Sequence, residues 1–383
     1  MYCLSSVSGG AVAYLRNLAP LLAHRFAESP EAHRVTFLAH EEQALSLEGI
    51  EDSQIRWVPG TRPMGYRRVL WERKNLGQIV REQGADVLFT PYQIGPRAPG
   101  IRQVLMIRNM EPFLFDVYHY SLKTWVRNRL LRWASTRCLR RADRVIAVSE
   151  FALEQLTRGL GIDAERVRTI YHGRPDFGNT ADNSQDRDCL GQIGIQGDYL
   201  LTCGSLLPYR RCEDVITAFS QCAPKLGAGM QLVIAGAGTD YRYRESIRKA
   251  IAASPARERI QAVGHVPWKT MATLYRHCTA CVVATEIEAC PNIAIEAMAA
   301  GCVIVSGDRP PLPEMFKGCA LEYRARDIGQ LAQQMRTAVR DAPMRQEMKA
   351  KALDRAEEFS WAKCAEETYA ALTHWAGKRG QSR

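Results

Sequence analysis

Ten short apolar runs, at residues 35–39, 55–58, 87–90, 104–107, 145–148, 199–203, 232–235, 260–263, 280–285 and 302–306, constrain this chain more than any other feature. Most are nearly continuous in apolar residues rather than alternating, and together they predict strands covered on both faces, as in a parallel sheet flanked by helices. Helix-patterned stretches separate most of them, as at residues 11–26, where Val12, Leu15, Leu18, Leu22 and Phe26 recur at helical spacing. Pro20 inside that stretch should kink or loosen its helix. At 383 residues the chain exceeds one ordinary core. The polar stretch 174–198, rich in Asp, Asn, Gly and Gln, is the place for a boundary. The reading is therefore α/β. A Rossmann-like domain spans 1–176, a linker 177–198 and a second Rossmann-like domain 199–360, the two facing a cleft. A last helix at 361–376 packs back on the first domain, and a disordered basic tail occupies 377–383.

Within the second series, residues 280–306 read strand, loop, helix, strand. Pro291 and Asn292 sit where the helix opens, and Gly301 where a left-handed stop is expected. Glu288 then hangs in the loop at a strand's carboxyl end, and Glu296 lies about one turn into the helix. In open α/β sheets that crevice binds ligands, and a helix N-terminus favours anions. Taken alone, the two glutamates fit a hydrolase dyad, a metal site or surface charge.

Other motifs are weaker. Gly9–Gly10 precedes the helix at 11–26, where glycine lets backbone amides approach a phosphate; a plain tight turn reads equally well. The run GSLLPYRR at 204–211 follows a strand and carries Arg210 and Arg211, which could neutralise a diphosphate or simply be solvated. Gly236-Ala237-Gly238 also follows a strand, but it lacks the third glycine and the acid of a dinucleotide site. Asp186 and Asp188 form a D-x-D in the polar stretch, a poor metal site. Cys278 and Cys281 form a single CxxC, better read as core packing than as zinc ligands.

Composition is that of a globular protein, 46% hydrophobic and 24% charged, with a net charge of +10. No apolar run is long enough to cross a bilayer, and the N-terminus lacks the pattern of a secretory leader. Reduced thiols and a cytoplasmic location, with a peripheral contact at the inner membrane face, are the expectation. Residues 62–144 hold seventeen Lys/Arg against six acids, enough to account for the whole net charge. A basic face fits nucleic acid, anionic lipid or a phosphorylated ligand. The helix expected at 122–141 interleaves Trp125, Leu130, Leu131 and Trp133 with its cations. It could lie on an anionic membrane, but burial of its Trp and Leu in the first domain's core is the favoured reading.

Together these pieces resemble the glycosyl transferases group 1 family, retaining nucleotide-sugar glycosyltransferases of the GT-B fold. The likeness is strongest over 199–323 and weak over 25–84. It rests on IEACPNIAIEAMAAGCVIVS, whose Glu288 and Glu296 match the family's E-x7-E pair, and on CGSLLPYRR. LVIAGAG, RVIAVSEFALEQL, IYHGRPDF and the glycine loop at Gly10 are further landmarks. Arg210 falls on the family's lysine, keeping the charge; Ser205 falls on its arginine, losing it. The family's N-domain histidine has no obvious counterpart. The resemblance implies a hexose transferred from a nucleoside-diphosphate sugar to a hydroxyl of a glycan or lipid-linked acceptor, in cell-surface polysaccharide synthesis. Glu296 would hold the ribose and Glu288 the sugar. Amides near Asn292 and Ile293 would meet the diphosphate, and Arg210, with Arg211 and Ser205 nearby, would stabilise the leaving group. No metal, resident cofactor or nucleic-acid partner is expected. A GT-B sugar-nucleotide epimerase and a non-catalytic sugar-nucleotide-binding homologue are the alternatives.

Overall fold

A computed structural model describes residues 1–6, 9–59, 65–115, 121–177, 183–238 and 240–376. The chain forms two compact units, Met1–Gly173 with Ser360–Arg383, and Arg174–Phe359. The tail expected at 377–383 lies outside the described residues.

In the first unit, β1 (Phe37–Ala39) and β2 (Ile55–Trp57) pair in parallel. β3 (Val87–Thr90), β4 (Arg102–Ile107), β5 (Arg144–Ala147) and β6 (Val167–Thr169) form a parallel sheet in chain order. The first residues bridge the two groups. Tyr2 N donates to Phe89 O at 2.8 Å, Cys3 N donates to Leu38 O at 2.9 Å, and Tyr2 is buried. Tyr2 forms an isolated parallel bridge with Leu38. The helix Gly10–Ala27 continues through Pro20.

Two helices depart from expectation. Gly65–Glu82, too polar to announce itself, is helical and buries Leu76 and Val80. Leu122–Arg141 forms as expected, with Ser121 as its cap. The side it buries, however, includes Asn128, Ser135 and Leu139, while Leu130 and Trp133 are 63% and 66% exposed. Burial of those two residues in the core is therefore corrected.

The helix Trp361–Ala376 lies against Gly10–Ala27. Arg25 pairs with Glu366 and stacks its guanidinium 3.9 Å from the Tyr369 ring, and Trp361 packs on Tyr14 and His172. No helix among the described residues is long and apolar enough to cross a membrane.

In the second unit, six parallel strands are β7 (Tyr199–Cys203), β8 (Gln231–Ala235), β9 (Ile260–Gly264), β10 (Ala280–Val283), β11 (Ile304–Gly307) and β12 (Leu321–Tyr323). Their order is β12-β11-β10-β7-β8-β9. Counted from β7, that is the doubly wound order 3-2-1-4-5-6, and the order reverses between β7 and β10. A crevice opens there at the strands' carboxyl ends.

The linker expected at 177–198 is corrected. Residues 183–192 form a helix of the second unit, although their composition reads as loop. Tertiary charge pairing accounts for it. Buried Asp186 accepts hydrogen bonds from Arg276 (2.8 and 3.0 Å), His277 (2.8 Å) and Thr273 (2.9 Å) on the helix Trp268–His277. Burial pushes the carboxyl up, but these donors outweigh it and hold its pKa at about 2. The D-x-D acid is thus a structural ion-pair partner. The CxxC is not a unit either: Cys278 Sγ lies 3.7 Å from Cys302 Sγ, both buried.

Candidate active site

Two loops meet at the reversal point. The loop after β7 begins with Gly204, at φ +113, and runs through Ser205 to Arg210. The loop after β10 carries Thr285–Pro291 into the helix Asn292–Ala299, with Pro291 as its cap residue and Gly301, at φ +66, ending the turn after it. Thr202 Oγ1 donates to Val282 O at 3.1 Å, and Glu286 N donates to Tyr209 O at 2.8 Å, so strands and loops are tied. Ser205, Arg210 and Ile293 line one pocket with Gly204, Thr202 and Thr285.

Arg210 and Glu288 form an ion pair with side chains only 20% and 12% exposed. The contact is charge against charge rather than a full set of aligned hydrogen bonds. Arg210 Nε is buried and has no hydrogen-bond partner among the described residues, while Glu288 Oε1 faces Arg210 Nη1 in the ion pair. Buried polar groups are normally satisfied, so Arg210 Nε retains hydrogen-bonding capacity for a ligand. Burial pushes Glu288 above the usual carboxylate range, with Arg210 and then Thr285 pulling the other way. Burial pulls the Arg210 pKa down, but Glu288, helped by Tyr209 and other neighbours, more than offsets it, so the guanidinium is held above its usual value. Glu296 accepts a hydrogen bond from Tyr275 Oη at 2.9 Å and is likewise raised, first by burial. The site therefore holds two partly buried carboxyls and one guanidinium beside a helix N-terminus.

Arg211 is placed differently from expectation. Its own φ of +52 turns the chain into the helix Cys212–Cys222. Its guanidinium donates to both Asp214 oxygens at 2.9 and 2.7 Å and lies 3.2 Å from Glu213. That side chain is engaged in holding the loop, not open to a diphosphate. Gly10 belongs to the first unit, where it opens its helix behind Gly9 at φ +55.

Sequence reasoning missed three contributors. Tyr275 lies in the last turn of the helix Trp268–His277, and its hydroxyl meets Glu296 and lies 3.1 Å from Cys203 Sγ. Glu286, two residues before Glu288, is buried and takes a two-pronged pair from Arg326 at 2.8 and 3.1 Å. The acidic pair at 286 and 288 was a signal for it. The GAG turn also gains a role. A side chain on Gly236 would meet Gly204 O at 1.9 Å, and one on Gly238 would meet Leu206 O at 2.2 Å. The glycines let the loops after β7 and β8 pack backbone against backbone.

Known proteins share this plan. Residues 8–175 match the family described as Glycosyltransferase Family 4, and residues 192–355 match Glycosyl transferases group 1. HepE of Anabaena, solved with UDP-glucose, aligns with a TM-score of 0.72 over 97% of this chain and 97% of its own, at 16% identity. The chain belongs to the GT-B glycosyltransferases. As a GT-B chain it has curated relatives of several kinds. It is 23% identical over 227 residues to the serotype-specific mannosyltransferase WbdA of Escherichia coli, covering 59% of this chain but 28% of WbdA. The match thus spans little more than a quarter of that relative's length. To the alpha-maltose-1-phosphate synthase of Mycolicibacterium smegmatis it is 24% identical over 296 residues, covering 70% of this chain and 72% of that enzyme.

Proposed function

We propose that this protein is a retaining hexosyltransferase. It takes a hexose from a nucleoside-diphosphate sugar and delivers it to a hydroxyl of a glycan or lipid-linked acceptor in polysaccharide synthesis. The observation that carries this reading is the partly buried Arg210–Glu288 pair, with its unsatisfied Arg210 Nε, in the loops beside the helix that carries Glu296 at the sheet's reversal point.

In this reading Glu296, oriented by Tyr275, accepts hydrogen bonds from the ribose hydroxyls. Glu288 accepts from hydroxyls of the donor sugar. The amides of Asn292 and Ile293, at the start of their helix, face the diphosphate. Arg210 stabilises the charge that grows on the leaving diphosphate, in a largely buried site where such an interaction is strongest. The resemblance to retaining enzymes implies front-face attack. The acceptor oxygen bonds to the anomeric carbon as the bond to the diphosphate breaks, and the leaving phosphate takes the acceptor's proton. No protein nucleophile, metal or resident cofactor has a role in this scheme. The mannosyltransferase relative and the UDP-glucose-bound neighbour support a hexose donor and place UDP and GDP sugars first for testing.

The test is incubation with UDP-, GDP- and ADP-hexoses and mixed glycan and lipid-linked acceptors. Released diphosphate is quantified, and the product's anomeric configuration is read by NMR. The expected result is diphosphate release with one donor class and an anomeric configuration equal to the donor's. Inverted product would refute retention. Interconversion of the sugar without transfer would favour an epimerase, and tight nucleotide binding without turnover a non-catalytic homologue.

A further inference from the structure

We propose that the outer face of the helix Leu122–Arg141 docks on an anionic lipid bilayer. The inference concerns the first unit's surface alone and does not depend on the catalytic reading.

The helix is amphipathic the wrong way round. A helix on a globular core buries its apolar stripe and solvates its polar one. Here Asn128 and Ser135 are fully buried with Leu139, while Leu122, Val126, Leu130 and Trp133 are 78%, 44%, 63% and 66% exposed. At 100° per residue those four side chains fall within an arc of about 80°, roughly opposite the buried three. A continuous exposed apolar face of this kind marks an interaction site rather than scattered surface residues.

Charge says what covers the face. The segment LKTWVRNRLLRWASTRCLRR contains seven Lys/Arg and no acid. Arg127 pairs with Glu111, and Arg140 donates to Leu160 O at 3.0 Å. Lys123, Arg129 and Arg141 are exposed and flank the apolar stripe on the helical wheel, and the exposed Arg137 follows Trp133 along the same arc. Arg129, Arg132, Arg137 and Arg141 also line a surface groove with Phe115 and Trp133. Arg137 stands 5.9 Å from the Trp133 ring and Arg129 4.9 Å from that of Trp125, so cations and aromatic bodies are interleaved. An apolar stripe with Trp at its centre and cations on both edges fits an interface where acyl chains lie beneath anionic headgroups. A protein partner would need an acidic rim around an apolar groove, and nucleic acid would have no use for the exposed Leu and Val.

Flotation of the full chain tests this, using vesicles of phosphatidylcholine alone and vesicles containing about 30% phosphatidylglycerol, a density at which surface charge attracts basic segments. The expected result is at least tenfold stronger partitioning onto the anionic vesicles. Leu130→Asp with Trp133→Asp should lower that partitioning about tenfold with thermal unfolding unchanged, because both side chains are exposed and the stripe supplies the insertion energy. Arg129→Glu with Arg137→Glu should remove the preference for anionic over neutral vesicles. Equal partitioning of the wild type onto both vesicles would overturn the proposal. So would wild-type partitioning by the Leu130/Trp133 variant, or duplex DNA binding that is salt-sensitive and indifferent to those two substitutions.

Discussion

Replacing Arg210 by alanine should lower turnover by roughly 10²- to 10³-fold, the range seen when one group stabilising a developing charge is removed. Arg210 is the positive group in the loop after β7 that contacts the site's carboxylate and keeps a spare donor. Arg211 cannot replace it, because Asp214 and Glu213 hold that guanidinium. Arg210→Lys restores the charge without the planar fork, so it should recover most of the loss, to within about tenfold of wild type if charge is the main contribution. Alanine also leaves the partly buried Glu288 without its counter-charge, which lowers stability by less than the roughly 3–5 kcal/mol of a fully buried pair. The double variant Arg210→Gln with Glu288→Gln removes both charges and should unfold at a higher temperature than Arg210→Ala while remaining inactive. Steady-state release of nucleoside diphosphate and a melting curve separate the two effects. Arg210→Ala that stays folded and keeps turnover within about threefold would remove Arg210 from the mechanism, since one charge-stabilising group is expected to count for far more.

Gly236→Ala should be the most damaging conservative change in the second unit. The added methyl would stand 1.9 Å from Gly204 O and 2.8 Å from Gly204 C, and no flexible side chain could move aside. The residue's φ of +141 is itself one that L side chains rarely adopt. Overpacking and backbone strain together should cost about 3 kcal/mol or more. For a unit of this size that lowers the melting temperature by roughly 6–12 °C. Gly204 opens the loop that carries Arg210, so the shift also displaces the guanidinium from the pocket. Gly229→Ala is the control, because nothing lies within 4 Å of a side chain there. It should melt within about 1–2 °C of wild type, as surface substitutions usually do. Equal melting of the two alanine variants would show that the loops after β7 and β8 do not pack as described.

Much of this site is legible in the sequence because it is local. Residues 280–283 are apolar and every one is buried, Pro291 stands at the helix start, and Gly301 takes the left-handed turn that ends it. Those features alone put Glu288 in a loop and Glu296 on a helix. The rest depends on contacts distant in sequence. The helix at 183–192 is anchored by Asp186 reaching Arg276, ninety residues away, so its composition reads as linker. The helix Gly65–Glu82 is polar in composition, and among its described side chains the buried apolar ones are Leu76 and Val80. Arg211 resembles Arg210 in a string of letters, and only the left-handed backbone at 211 turns its side chain to Asp214. The Leu122–Arg141 helix shows the converse: its periodic Leu and Trp read as core, but the buried side holds Asn128 and Ser135.

The measurement that bears most directly on the reversal-point site is calorimetric titration of wild type and Glu296→Gln with UDP, GDP and ADP. Glutamine can still accept the Tyr275 hydroxyl, so the fold should persist, while the charged acceptor for the ribose hydroxyls is lost. One nucleotide should bind wild type, and its affinity should fall roughly tenfold to a hundredfold in Glu296→Gln, the range for losing hydrogen bonds to a charged group. Unchanged affinity in the folded variant, or no binding of any of the three nucleotides to wild type, would contradict the assignment of this crevice as the nucleotide site.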